Sequence, residues 1–185
     1  MEEQKVIISE DRFRLTIRRL CIQIIETYEL DAGLCIIGIQ PRGILLAERI
    51  RQTLNELEPN FKFDYGFLDI TFYRDDFGRR DEPIQPNRTK IDFIIENRPV
   101  ILIDDVLYTG RTIQASMGAI QGFGRPSAVE LMVLVDRRFN RHVPIQADYI
   151  GLQIDALDES YVRVEWSEDP LSTKVLMYSS KHKTK

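Results

Sequence analysis

One short run does most to limit what this chain can become. Val100-Ile-Leu-Ile103 is continuously apolar and β-branched at three of its four positions. That is the composition of a strand covered on both faces of a parallel sheet, rather than one alternating between core and water. Asp104 and Asp105 follow at the strand's expected carboxyl end, and Val106-Leu-Tyr-Thr-Gly-Arg-Thr112 then supplies a tight polar turn and a helix start. Ligands of open α/β sheets bind at that edge. Hydroxyls, a glycine and backbone N–H groups at a helix N-terminus suit an anion such as phosphate, whereas carboxylates, as acceptors only, suit sugar hydroxyls. Acids followed directly by an anion cradle predict a ribose bearing a 5′-phosphate. The competing reading is a solvated acid pair, with Thr109 merely capping a helix.

The same order of strand, turn and helix recurs earlier. Leu34 to Ile39 is a second apolar run, followed by Gln40-Pro-Arg-Gly43 and a helix carrying Ala47, Ile50, Leu54 and Leu57 on one face. Ile44-Leu45 stands where a Walker loop needs Lys and Ser or Thr, which argues against a P-loop nucleotide site. Gly43 permits close backbone approach and Arg42 presents a planar fork of donors matched to phosphate oxygens; alone, the segment reads equally well as a Pro-Gly turn with a surface arginine. X-Pro bonds reach the cis form far more readily than others, so Gln40-Pro41 suits a loop of unusual peptide geometry.

The remaining segments complete an α/β pattern. Phe13, Ile17, Leu20, Ile24 and Tyr28 recur at helical spacing from Ser9 to about Glu29, and the other face carries Arg12, Arg14, Arg18 and Arg19, either a solvated surface or an RNA or partner contact. Phe61 to Tyr73 alternates as a strand, and Ile113, Met117 and Ile120 continue the helix after the central turn. Ser127 to Val135 is a long β-branched strand ending in Asp136-Arg137-Arg138; Val143 to Gly151 adds a short strand and Tyr161 to Trp166 an edge strand. Between the third strand and the central one lies a polar connection of about residues 74–90. So long a loop in a compact domain is functional or disordered, and as a lid it would bring Arg74 onto the site.

Size and composition narrow the class. The 185 residues, 43% hydrophobic and 29% charged, form one globular domain over about residues 1–178 with a short polar tail at 179–185. No apolar run approaches the roughly twenty residues of a membrane helix, and Met1-Glu-Glu-Gln-Lys5 lacks signal-peptide character, so a cytoplasmic protein is expected. Cys21 and Cys35 sit in apolar segments as core thiols. The net charge of -4 argues against a surface broadly coated with nucleic acid.

Taken with Leu68-Asp-Ile-Thr-Phe-Tyr-Arg-Asp-Asp76, Gly124-Arg-Pro-Ser127 and Pro144-Ile-Gln-Ala-Asp-Tyr-Ile-Gly151, the motif of residues 100–112 resembles that of the type I phosphoribosyltransferases. More narrowly, the chain resembles the bifunctional pyrimidine operon attenuation regulators and uracil phosphoribosyltransferases over roughly residues 5 to 168. The resemblance implies a parallel-sheet core flanked by helices, a small hood and a flexible lid. It implies transfer from 5-phosphoribosyl-1-pyrophosphate (PRPP) to uracil, giving UMP and pyrophosphate, with Mg²⁺ as cofactor and a homo-oligomer as assembly. Asp104 and Asp105 would hold the ribose hydroxyls, and Val106, Leu107, Tyr108, Thr109, Gly110, Arg111 and Thr112 the 5′-phosphate. Gln40, Pro41, Arg42 and Gly43 would form the pyrophosphate loop, joined by Arg74. Asp136 and Arg137 would lie at the edge of the uracil pocket, unless they are a surface salt pair. Metal ligands and a general base stay unassigned. Pro41 departs from the Thr usual in related sequences. Tyr108 replaces the acid typical of 6-oxopurine enzymes and favours a pyrimidine. The resemblance also implies binding of a pyrimidine-operon leader mRNA by a basic face that includes Arg18 and Arg19. Against it, Leu152 to Glu159 has gained acids, which oppose phosphate contacts. A UMP- or UTP-sensing mRNA regulator with residual catalysis is the alternative to a primary enzyme.

Overall fold

Five parallel strands form the centre: β2 (Leu34–Ile39), β3 (Phe63–Leu68), β4 (Pro99–Leu107), β5 (Ala128–Arg137) and β6 (Tyr149–Ile154), in the order β3-β2-β4-β5-β6. The computed structural model describes residues 3–73, 88–155, 160–167 and 172–179; Arg74, most of the expected lid, residues 156–159 and nearly all of the tail lie outside them. Every residue of β2 is buried, and Val100 to Ile103 of β4 are fully so, as continuous apolar runs predict for strands covered on both sides.

Two apolar layers cover the sheet. On one side α1 (Glu10–Thr27) buries Phe13, Ile17, Leu20, Cys21 and Ile24, and α2 (Gly43–Leu57) buries Leu46, Ala47, Ile50 and Leu54, against Ile36, Ile101, Ile103, Met132 and Leu134. On the other side α3 (Arg111–Ile120) buries Ile113, Ala115, Ala119 and Ile120 against Ile37, Leu102, Leu131 and Val133. Met117, expected on the buried stripe, is 38% exposed. Small residues take its place against the sheet, and Ser116 satisfies its hydroxyl on the Thr112 carbonyl at 2.8 Å.

A second sheet was not legible in the sequence. β1 (Glu3–Ile8) and β8 (Lys174–Ser179), from opposite ends of the chain, pair antiparallel, and β7 (Ser160–Glu165) pairs with β8 at the edge. Val162, Val164 and Val175 pack into the α1/α2 layer, so this small sheet sits as a hood on that side of the core. Two sequence-based boundaries also move. The third strand stops at Leu68 and a 3₁₀ turn covers Thr71–Tyr73. The last core strand is Tyr149–Ile154, preceded by an irregular crossover along the α3 side, where Ile145 and Ala147 are packed.

Candidate active site

β4 does not stop at Ile103. It pairs with β5 as far as Leu107↔Asp136, so Asp104 and Asp105 lie within the strand, on opposite faces, and only 8% and 5% exposed. Carboxylates so desolvated need partners. Asp105 accepts from Arg42 Nε at 2.6 Å, and Arg42 Nη2 donates to the Val164 carbonyl of β7 at 3.0 Å. One arginine thus joins the loop after β2, the central strand and the hood. An Asp104 carboxylate oxygen accepts the Asp105 backbone N–H at 2.9 Å.

The loop from Gln40 to Gly43 is set by backbone constraints. Gln40-Pro41 is cis. Gln40 is buried; its backbone N–H donates to Leu68 O at 2.9 Å and its side-chain amide to Arg88 O at 2.7 Å, which turns it toward the far end of the lid segment. The close approach expected of Gly43 is to β4: a Cβ there would stand 2.2 Å from the Ile103 carbonyl oxygen and 3.0 Å from Asp104 Cα. The N-terminus of α2 therefore lies directly on the acid-bearing strand.

After Leu107 the chain turns through Gly110, at φ +86°, into α3, whose N-terminus has no side-chain cap. Thr109 Oγ1 accepts only a long bond, 3.4 Å, from the Arg111 N–H. The site thus combines two buried carboxylates, an uncapped helix start and an arginine on a neighbouring loop, all at the carboxyl edge of the sheet. Such an edge can accept hydroxyl donors at its carboxylates and offers N–H donors to an anion at its helix start.

Asp136 and Arg137, adjacent in β5, diverge as strand neighbours must. Arg137 donates to the Ser160 carbonyl of β7 at 2.7 Å, and its guanidinium carbon lies 3.9 Å from the Tyr108 ring centroid. This cation-π stack sits between the hood and the turn of residues 106–112. Asp136 accepts from Gln153 at 3.1 Å and pairs with Arg141. Asp136 and Arg141, with Val143, Ile145, Ile150 and Gln153, line a cleft of about 570 Å³. Arg141 itself escaped sequence reasoning: nothing local distinguished it from Arg137 and Arg138, and its importance lies in distant carbonyls. Outside this centre, Arg138 forks onto Asp155 at 2.5 and 2.6 Å and holds that carboxyl below its usual range.

Comparison with known proteins agrees with this geometry. The family model for the phosphoribosyl transferase domain matches residues 7–169. The chain belongs to the phosphoribosyltransferase family. Among curated relatives, the protein named Bifunctional protein PyrR from Caldicellulosiruptor bescii is 39% identical over 177 residues, covering 96% of each chain. Its namesake from Deinococcus radiodurans is 42% identical over 162 residues, covering 88% of this chain and 87% of that one. Solved structures share the type I phosphoribosyltransferase fold at low identity. A hypoxanthine-guanine phosphoribosyltransferase of Bacillus anthracis superposes with TM-score 0.68 at 19% identity, covering 96% of this chain and 98% of its own. A hypoxanthine phosphoribosyltransferase of Staphylococcus aureus gives 0.66 at 22%, covering 85% and 80%. No described helix is long and apolar enough to cross a membrane.

Proposed function

We propose that this phosphoribosyltransferase transfers the ribose 5-phosphate of PRPP to uracil, forming UMP and pyrophosphate, in the cytoplasm. The observation that carries the reading is one sheet edge holding buried Asp104 and Asp105, the Gly110 turn into an uncapped α3, and Arg42. In the reaction a bond forms from the uracil ring nitrogen to the anomeric carbon as the bond to pyrophosphate oxygen breaks. The ring nitrogen loses its proton, the sugar passes through a cation-like state and the leaving group gathers charge. Asp104 and Asp105 fix the ribose hydroxyls, the turn from Val106 to Thr112 takes the 5′-phosphate, and Arg42, with Arg74 as the expected lid residue, neutralises pyrophosphate. Asp105 has acceptor sites beyond the one Arg42 uses, so the ion pair and a ribose hydroxyl can share it.

Mg²⁺ fits this donor set. Buried Asp104 and Asp105 offer the oxygen donors suited to an ion that keeps its waters and binds through one or two carboxylates and substrate phosphates. When bound, it supplies charge neutralisation for the pyrophosphate. Asp104 and Asp105 are the residues that would hold it with substrate.

Two things support uracil over a purine. The 36–42% identical relatives carry the name Bifunctional protein PyrR, and the turn presents Tyr108, covered by Arg137, where 6-oxopurine enzymes carry an acid. Incubation with PRPP, Mg²⁺ and single nucleobases, followed by pyrophosphate release, tests this. Turnover with hypoxanthine or guanine but not uracil would overturn it. The second activity, binding of a pyrimidine leader mRNA, is supported by the relatives' bifunctional name and by exposed Arg12, Arg14 and Arg18 on α1. It is weakened at Arg19, whose Nη2 donates to the Ile150 and Gly151 carbonyls, both at 2.8 Å. Leader-RNA binding that weakens with salt and strengthens with UMP would establish it; failure of that RNA to bind alongside uracil turnover leaves the enzyme alone. Exposed Leu15 and Ile22 on the same helix support self-association.

A further inference from the structure

The residues after β5 run back along the phosphate turn and hold it one peptide at a time. Arg141, with its side chain 19% exposed, donates Nη1 to the Leu107 carbonyl at 3.3 Å and, closer, to the Tyr108 carbonyl. The His142 N–H donates to the Thr109 carbonyl at 2.9 Å. Val143 fills the space beside Gly110, where a Cβ would come within 2.6 Å of Val143 Cγ2. Three consecutive carbonyls, of Leu107, Tyr108 and Thr109, are thus drawn toward the crossover.

Peptide planarity turns this into a statement about the other side of the turn. In a trans peptide the carbonyl of one residue and the N–H of the next point in opposite directions. Carbonyls of 107, 108 and 109 held by the crossover therefore direct the N–H groups of Tyr108, Thr109 and Gly110 away from it, free to meet a 5′-phosphate on the other side of the turn. Arg141 is itself aimed: Nη2 pairs with Asp136, Nη1 also meets the Arg137 carbonyl at 2.8 Å, and Nε reaches the Ile145 carbonyl at 3.2 Å. Gln153 holds the other carboxylate oxygen of Asp136 at 3.1 Å.

We infer that Arg141, oriented by Asp136, is a positioning residue that presets the backbone N–H groups of the 5′-phosphate turn, so that Asp136 acts on PRPP binding through Arg141 rather than on the base. The inference rests on reading residues 106–112 as the phosphate turn of a phosphoribosyltransferase. Lysine cannot reproduce a planar fork that meets several acceptors at once, so Arg141→Lys rescues only in part.

The test uses the full chain with two independent readouts. Ribose 5-phosphate, which carries the phosphate but no base or pyrophosphate, is titrated while the backbone amide resonances of Tyr108, Thr109 and Gly110 are followed. Steady-state kinetics with PRPP and uracil are measured in parallel. Expected are a loss of ribose 5-phosphate affinity and a rise in KM for PRPP of roughly ten- to a hundredfold in Arg141→Gln, a smaller rise in Arg141→Lys, and an unchanged KM for uracil. Should Arg141→Gln fail to fold, Asp136→Asn carries the same expectation with the arginine still present. Wild-type affinity for ribose 5-phosphate in folded Arg141→Gln would overturn the inference; so would Asp136→Asn raising KM for uracil while leaving PRPP untouched, which returns Asp136 to the base pocket. If the wild type binds ribose 5-phosphate but does not use uracil, the base assignment fails and the titration still decides the role of Arg141.

Discussion

Replacing Gly43 by alanine tests how the acid-bearing strand is positioned. The new Cβ would lie 2.2 Å from the Ile103 carbonyl oxygen and 3.0 Å from Asp104 Cα. Both neighbours are backbone atoms in the middle of a paired strand, so neither can swing aside as a side-chain tip would. Relief requires the α2 N-terminus to lift from β4 by on the order of 1 Å. Overpacking of this kind costs about 1–3 kcal/mol, and the rigid partner places this case near the top; the helical preference of Ala over Gly returns up to about 1 kcal/mol. The net loss is about 2 kcal/mol, which for a domain of this size lowers Tm by roughly 4–8 °C. Activity should fall further than stability, because Asp104 moves with its backbone and a misplacement of about 1 Å can cost on the order of a hundredfold in rate. Gly122→Ala is the internal control, since a Cβ there meets nothing within 4 Å. Calorimetry and pyrophosphate release on both variants check the reasoning. Equal melting temperatures and equal turnover for Gly43→Ala and Gly122→Ala would refute it.

Asp105→Asn removes the negative charge paired with Arg42 and one of the two acceptor oxygens offered to ribose; turnover should be nearly abolished while Tm falls only a few degrees, because Arg42, with its side chain 44% exposed, regains solvent. Full activity would defeat the ribose assignment. In α1, Leu20→Ala, at a position 0% exposed, should lose about 2–5 kcal/mol, whereas Leu30→Ala, 48% exposed beyond the helix end, should stay within about 0.5 kcal/mol; similar losses in denaturant titrations would contradict the burial described. Burial pushes the Cys21 thiol up to about 12 and Cys35 to about 11. Both are raised above the unfolded value of about 8.5, so their contribution to stability is complete below that pH and is lost as pH rises toward the folded values. The denaturant midpoint should therefore decline above about pH 8.5, and less steeply in Cys21→Ser; an identical slope in the variant would count against the thiol. Tyr149, raised to about 12 by burial and by its bond to Glu130, acts in the same alkaline direction.

The sequence by itself determined the strands that build the sheet centre and which strand carries the acid pair. Val100 to Ile103 and Leu34 to Ile39 declared themselves because burial on both faces leaves an unbroken apolar run, a property readable within six residues. The order of acid pair, glycine-bearing turn and helix start was legible because each is a local signal, although β4 runs on to Leu107 and takes both acids into the strand rather than ending before them. Only the tertiary structure decided the rest. The hood joins Glu3–Ile8 to Lys174–Ser179, and neither short segment signals a partner at the other end of the chain. Asp136 and Arg137, read together as one edge, are parted by strand alternation, one toward Arg141 and Gln153, the other toward Tyr108 and the hood. Arg42 read as a free phosphate fork; the fold sets it against Asp105 and Val164. Arg141 carried no local signal at all, because its meaning lies in the carbonyls of Leu107 and Tyr108, which only the β5–β6 crossover brings within reach. Local periodicity specifies which faces are buried, whereas the partner of each buried charge is fixed by chain segments far apart in sequence.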